Sequence, residues 1–249
     1  MPLKKGLKIL SCFDFGRETI SAKNLSEELG LPLSTIYRYL AILIESGYLS
    51  RNGDSGEYRL GLSFFRLGRI AAAQFELIDF IKPYMERLSS VTEETSLYTV
   101  IDGFRALCVE RVETQRRIRM SLQPGMSLPL HAGASSKVLL AYQSESFLES
   151  MLEKTVLERF TSHTITDPVI LKSDLKNIRQ QGFAFSDQEA DVGARAIAAP
   201  IFDSGHKLLG SLSIAGPANR ITDEDKSRLV DLVVENARDA SNEIMRRKI

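Results

Sequence analysis

The chain of 249 residues is 43% hydrophobic and 26% charged, which suits an ordinary folded protein and excludes a disordered or fibrous one. Its 32 basic and 32 acidic residues cancel, which argues against a protein that coats nucleic acid through bulk charge. No run approaches the ~20 apolar residues of a membrane span, and no apolar stretch follows the N-terminal lysines, so no secretory signal is expected and a cytoplasmic protein is.

Leu3, Leu7, Leu10 and Phe13 share one face of a first amphipathic helix. Ser21 can cap a second helix, Ala22 to Leu29, with Ala22, Leu25 and Leu29 inward and Gly30 ending it. Pro32 suits the first turn of a third helix that runs to about Ser46 and is closed by Gly47. Two short helices with a glycine-containing turn make a helix-turn-helix. Tyr48 to Arg51 and Glu57 to Leu60 then read as extended runs around Asn52-Gly53-Asp54-Ser55-Gly56, a β-hairpin. Helices followed by a hairpin give the order of a winged helix.

Leu62 to Phe75 reads as a linker helix whose apolar faces a second copy of the chain could cover. Beyond it the pattern is mixed. Ile81 to Thr92 is helical, with Met85 and Leu88 inward; Ser96 to Ile101 and Ala106 to Val112 suggest an antiparallel pair; Ile118 to Leu122 reads as a strand. Helices follow over Ser135 to Tyr142, Phe147 to Leu152 and Leu171 to Gln181. Phe183 to Phe185, Ala194 to Phe202 and Lys207 to Ala215 are strand-like, and Thr222 caps a long last helix. The expected fold class is therefore α+β, with domains over residues 1–61 and 77–249 joined by residues 62–76.

The third helix carries the first chemistry. Ile36, Leu40 and Leu43 face a small core, while Ser34, Tyr37, Arg38 and Ala41 form the opposite stripe with Thr35 beside it. Arginine pairs hydrogen bonds to guanine or grips phosphate, hydroxyls reach phosphates or base edges, and Ala41 lets the helix lie close. Arg51 on the hairpin is placed for the adjacent backbone. The same stripe suits a plain solvated face, but the order of elements favours double-stranded DNA as partner. Charge has the matching sign: residues 1–69 hold ten Lys and Arg against seven Asp and Glu. In the second domain, His131 to Lys137 leads into a helix past Ala132, Gly133 and Ala134. Small residues at a helix start expose N–H groups to a carboxylate, or simply make a tight turn. Asp187, Glu189, Asp191 and Arg195 read as a solvated loop.

Cys12 and Cys108 read as buried free thiols, and His131, His163 and His206 as loop or surface residues without metal-ligand spacing; no cofactor is expected. A Ser135–Ser136–Lys137 nucleophile is the one enzymatic alternative, but no Gly-x-Ser-x-Gly elbow, phosphate loop or His-Glu-x-x-His accompanies it. A DNA-binding scaffold without effector is the other.

Several ordered stretches resemble the IclR-type transcription regulators: Leu29 to Leu49, Glu57 to Gly61, Leu128 to Ala141, Thr164 to Thr166, Arg179 to Phe183, Ile197 to Asp203 and Leu212 to Pro217. The resemblance implies a winged helix-turn-helix, a GAF-like effector domain of antiparallel sheet flanked by helices, dimers or dimers of dimers on operator DNA, and a small organic or aromatic acid as effector. It implies a pocket lined by the Ala132-Gly133-Ala134 loop and by Ser186, Ala196, Ser213 and Ala215. Some members that take small acids have Asp, Cys and Ser where this chain has Ser186, Ala196 and Ala215, and glycine is common where Ser136 stands. The pocket implied here is roomier and less polar, for a larger or more apolar ligand.

Overall fold

The computed structural model describes residues 2–72, 76–116 and 122–247. The chain divides into two compact units, Met1–Phe75 and Glu76–Ile249. The first holds helices α1 (Pro2–Leu10), α2 (Ala22–Leu29), α3 (Leu33–Glu45) and α4 (Leu62–Ala72), and strands β1 (Thr19–Ile20), β2 (Leu49–Arg51) and β3 (Tyr58–Leu60). β3 lies between β1 and β2, antiparallel to both. Ser21 accepts a hydrogen bond from the Asn24 N–H and so starts α2, and Gly30 ends it in the left-handed conformation (φ 61°). Pro32 occupies the N-cap of α3, one residue ahead of the first turn expected for it.

Ile9, Ile20, Leu25, Ile36, Leu40, Leu49 and Tyr58 make the core of this unit. Burying each such side chain contributes about 1.5–3 kcal/mol, so a core this small depends on every member. The inner face of α1 differs from expectation. Leu3 and Leu7 are exposed, whereas Ile9 and Cys12 are buried and Leu10 and Phe13 half-buried against the core. Ile9 and Cys12 form a second apolar stripe three residues apart, and periodicity alone does not choose between two stripes.

The second unit starts with α5 (Glu76–Thr92), which runs past the expected start at Ile81 and contains Pro83. A six-stranded antiparallel sheet follows, built from β4 (Thr95–Asp102), β5 (Arg105–Val112), β6 (Ser127–Pro129), β7 (Ala184–Asp187), β8 (Ala194–Phe202) and β9 (Leu208–Pro217). Its spatial order is β6-β5-β4-β9-β8-β7. Helices α6 (Ala134–Ala141), α7 (Glu145–Lys154) and α8 (Pro168–Gln181) precede β7, and α9 (Lys226–Arg247) ends the unit. The α9 helix begins after Thr222, whose hydroxyl accepts from the Asp225 N–H and caps the preceding turn. The strand expected over Ile118 to Leu122 lies outside the described residues except for Leu122, which is not in a strand.

Alternation along the strands gives the sheet two apolar faces. Tyr98, Ile197, Ile201, Leu212 and Ile214 pack with Met85 and Leu88 of α5 and with Leu229, Val233 and Ala237 of α9. Ala106, Ala184 and Ala198 meet Val138 and Leu139 of α6 and Leu171, Leu175 and Ile178 of α8. The first face carries large residues and the second small ones, so helices close tightly on one side and leave room on the other. Among the described residues no helix is long and apolar enough to cross a membrane.

Candidate DNA interface and effector cavity

In the first unit, α3 buries Ile36 and Leu40 and half-buries Leu43, which turns Ser34, Tyr37, Arg38 and Ala41 to solvent. Thr35 is half-buried beside them. The five residues thus form one surface. Arg38 makes no ion pair among the described residues; its guanidinium lies over the Tyr39 ring at 5.6 Å from the centroid. Arg51 projects from β2, its Nε donating to the Gly56 carbonyl at 3.2 Å and its guanidinium over Tyr58. Those contacts set the arginine's direction, and its remaining donors have no partner among the described residues.

In the second unit, a cavity of about 210 Å³ opens between the small-residue face of the sheet and the start of α6. Gly133, Ala134, Ser186, Ala196 and Ala215 converge on its wall. Ala132 and Ser213 are fully buried and do not line it. Ser213 instead supports the wall: the Ser135 hydroxyl donates to the Ser213 hydroxyl at 2.8 Å. Leu97, Thr99, Ala106, Leu128, Ser136 and Asp191 also border the cavity. Thr99 escaped notice in the sequence because one threonine in an alternating strand carries no signal of its own.

Gly133 is the N-cap of α6, with φ 89° and ψ 155°, and no side chain caps the helix. The N–H groups of Ala134, Ser135 and Ser136 have no acceptor among the described residues, as expected of an uncapped first turn. The Gly133 N–H donates to Glu189 Oε2 at 3.2 Å. Glu189 is itself held by Lys137, whose Nζ lies 2.6 Å from Glu189 Oε1 and 2.8 Å from Asp174 Oδ2. Thr164 donates to the Glu189 carbonyl at 2.7 Å, and Thr161 to the Gln188 carbonyl at 2.7 Å. Burial pushes the Glu189 carboxyl above the usual carboxylate range, against the pull of Lys137 and of the Gly133 N–H.

The loop around Glu189 is therefore not the solvated charged run that the sequence suggests. Glu189 is buried because Lys137, 52 residues earlier, brings the opposite charge into the interior. Arg195 is fixed by Asp187 Oδ1 at 2.8 Å, by Asp223 Oδ1 at 3.2 Å and by the Ile221 carbonyl at 3.0 Å. The Arg195 guanidinium holds the Asp187 carboxyl below its ordinary pKa. Only Asp191 of the four is exposed. His131 also departs from a surface role: it is buried, its Nε2 lies 2.9 Å from the Glu158 carbonyl oxygen, and its ring stacks on Phe160. Both cysteines are free and buried, and burial pushes the Cys108 thiol up to about 12.

Among the described residues the cavity thus offers an apolar body, three unused N–H groups at a helix start and no uncommitted cation. Residues 2–53 match the IclR helix-turn-helix domain, and residues 70–242 match the bacterial transcriptional regulator IclR C-terminal domain. The chain belongs to the IclR family. Across 241 residues it is 30% identical to the transcriptional repressor IclR of Escherichia coli (strain K12), covering 96% of this chain and 88% of that one. It is 34% identical over 222 residues to the HTH-type transcriptional regulator BhcR of Paracoccus denitrificans, covering 89% and 80%. Among solved structures it is similar to an IclR homolog from Microbacterium hydrocarbonoxydans in complex with 4-hydroxybenzoate, at 25% identity and a TM-score of 0.83 over 98% of this chain and 99% of that one. This IclR-family chain is a ligand-responsive, DNA-binding transcription regulator with an α+β fold.

Proposed function

We propose that this regulator grips operator DNA through Ser34, Thr35, Tyr37, Arg38 and Ala41 of α3, with Arg51 on the wing touching backbone, and that a small organic acid in the α6 cavity alters that grip. The observation that carries the effector half is the uncapped start of α6 opening onto an apolar cavity. Three N–H groups and the positive end of the helix dipole suit a carboxylate, with Gly133, Ala134, Ser186, Ala196 and Ala215 around the ligand. An apolar cavity of about 150 Å³ holds benzene, so about 210 Å³ suits a single-ring acid rather than a two-carbon one. The aromatic acid bound by the Microbacterium hydrocarbonoxydans homolog supports the same size class.

Binding rather than catalysis follows from the cavity's hydroxyls. Ser135 bonds to another serine hydroxyl and not to a base, and His131 is committed to the Glu158 carbonyl. The protein works in the cytoplasm, where its DNA is. Residues 62–76, including α4, link the two domains, and α4 exposes Leu62, Phe65 and Ile70 while α1 exposes Leu3 and Leu7. A second copy is the natural cover for so much apolar surface, giving a dimer or a pair of dimers. Two recognition helices then enter grooves about 34 Å apart or a multiple of it. Phe65→Asp is expected to convert the dimer to a monomer in sedimentation equilibrium; an unchanged mass removes α4 from the interface.

The test of the whole reading is a gel-shift titration on the DNA upstream of the coding region, at fixed salt, with and without aromatic and aliphatic acids. A tenfold change in DNA affinity requires about 1.4 kcal/mol of coupling. A shift that no acid alters supports the scaffold reading instead. Arg38→Ala is expected to weaken operator binding by about 1–3 kcal/mol and to relax specificity at one base position. Equal affinity in the variant takes Arg38 out of the interface.

A further inference from the structure

The α3 helix is short of the groups that read bases by hydrogen bonding. Between Leu33 and Glu45 it has no Asn or Gln, the side chains that pair with adenine, and its one carboxylate is the last residue, Glu45. Arg38 is its single basic residue, suited to guanine or to phosphate. What else it turns to solvent is hydroxyls and hydrocarbon.

Part of that hydrocarbon stands at the start of the helix. Leu33 is the first residue of α3 and is 42% exposed; Tyr37, one turn on, is 51% exposed. Leu33, Tyr37 and Ala41 follow at four-residue steps and share about 140° of the helix circumference with Ser34 and Arg38. Leu33 takes no part in the core of its unit, which draws on Ile36 and Leu40 and, at its margin, on Leu31, Tyr39 and Leu43. Packing within the unit therefore does not account for a leucine here. Recognition helices touch base edges with their N-terminal residues. Pro32 supplies no side-chain cap, so the first-turn N–H groups beside Leu33 suit a phosphate.

Resting on the reading of α3 as the helix that grips operator DNA, we propose that Leu33, with the Tyr37 ring one turn on, reads the C5-methyl group of a thymine. That methyl is the one apolar group by which the major groove distinguishes a base, so it is the partner that covers an exposed leucine there. Contact takes apolar surface of both out of water, and burying one methyl is worth about fourfold in affinity. Cytosine offers no methyl at that place, and a purine would set polar atoms against the hydrocarbon. The position therefore selects thymine without a hydrogen bond from Leu33.

The experiment uses an operator selected from random-sequence duplexes by the full chain. Each thymine in turn is replaced by uracil, which deletes one methyl and keeps every hydrogen-bonding atom, and affinity is read by gel shift at fixed salt. In the parent, uracil at one thymine of each half-site weakens binding about fourfold. In Leu33→Ala the same replacement costs less than about 1.5-fold, because the methyl has lost its partner. Leu33→Met keeps the hydrocarbon and at least about twofold of the preference. Position 33 is exposed and alanine favours helices, so the melting temperature of Leu33→Ala stays that of the parent. If no thymine methyl matters, or if its cost persists in Leu33→Ala, the methyl reading is overturned and the DNA grip stands. A Leu33→Ala protein that has lost DNA binding altogether shows a role larger than one methyl and overturns it as well. Failure of the full chain to select any DNA overturns the grip and this reading together.

Discussion

The Lys137→Met variant is expected to lose about 3–5 kcal/mol of stability in its C-terminal unit. Lys137 is only 2% exposed, and its ammonium is shared by Glu189 and Asp174. Methionine fills similar volume but carries no charge, so Glu189 is left buried beside Gly133 without its counter-ion. Asp174 reaches solvent and tolerates the loss; Glu189 does not. The penalty depends on pH with a definite sign. Burial already raises the Glu189 pKa in the folded state, and deleting Lys137 removes the largest opposing influence, raising it further. A raised carboxyl binds its proton more tightly folded than unfolded, so stability falls as pH rises from the unfolded toward the folded pKa. The defect is therefore mildest in acid and reaches its full size once the pH passes the raised folded-state pKa. Urea titrations at several pH values check this. Adding Glu189→Gln to Lys137→Met is expected to restore most of the loss, because a neutral amide can still accept from the Gly133 N–H. A double variant as unstable as the single one shows that packing, not charge, was lost.

Gly61→Ala is expected to cost the N-terminal unit about 3 kcal/mol and to abolish operator binding at ordinary protein concentrations. A Cβ at Gly61 would overlap the Gly47 carbonyl oxygen and lie 2.9 Å from the carbonyl carbons of Gly47 and Tyr48. These are backbone atoms of the turn between α3 and β2, and the Gly61 N–H also donates to the Tyr48 carbonyl at 2.8 Å. No side chain can swing aside. The turn itself must move, and α3 with its exposed stripe moves with it. A unit of this size has total stability on the order of 5 kcal/mol, so the loss is a large part of it. Hydrogen exchange along α2 and α3, together with a gel shift, reads the effect. Gly53→Ala is the control: nothing lies within 4 Å of its added Cβ, and it should stay within about 0.5 kcal/mol of the parent. Equal exchange in the two variants means the turn has more slack than its geometry indicates.

The first unit was largely legible because its signals are local. Ser21, Gly30 and Gly47 mark helix ends, and the Asn52 to Gly56 turn marks the hairpin. The two-residue strand β1 left no trace, since its extended backbone follows from pairing with β3, 38 residues away at Ile20 and Tyr58. The α1 face was misread because both stripes of a short helix are apolar, and one is exposed in this unit. In the second unit most helices and strands were readable, but the short strand β6 left no signal and the roles of charged residues were not legible. Glu189 looks like a loop carboxylate until Lys137 is seen beside it, and only the folded chain makes that pair. The cavity wall shows the same division. Gly133, Ala134, Ser186, Ala196 and Ala215 line one cavity, whereas Ala132 does not, Ser213 sits behind Ser135, and Thr99, not singled out in the sequence, borders it.

The conformation of Gly133 has a bearing on how such a sensor can change over time. With φ 89° and ψ 155° it occupies a region of backbone space that only glycine enters without strain. The residues that stabilise helix starts (serine, threonine, aspartate and asparagine) do so with a side-chain oxygen placed over the same N–H groups. At this position each of them would be strained. Random substitution therefore has no easy route to a sturdier protein whose helix start is plugged by its own side chain. Drift can alter the far walls of the cavity, and with them the preferred ligand, while the proposed carboxylate seat stays open.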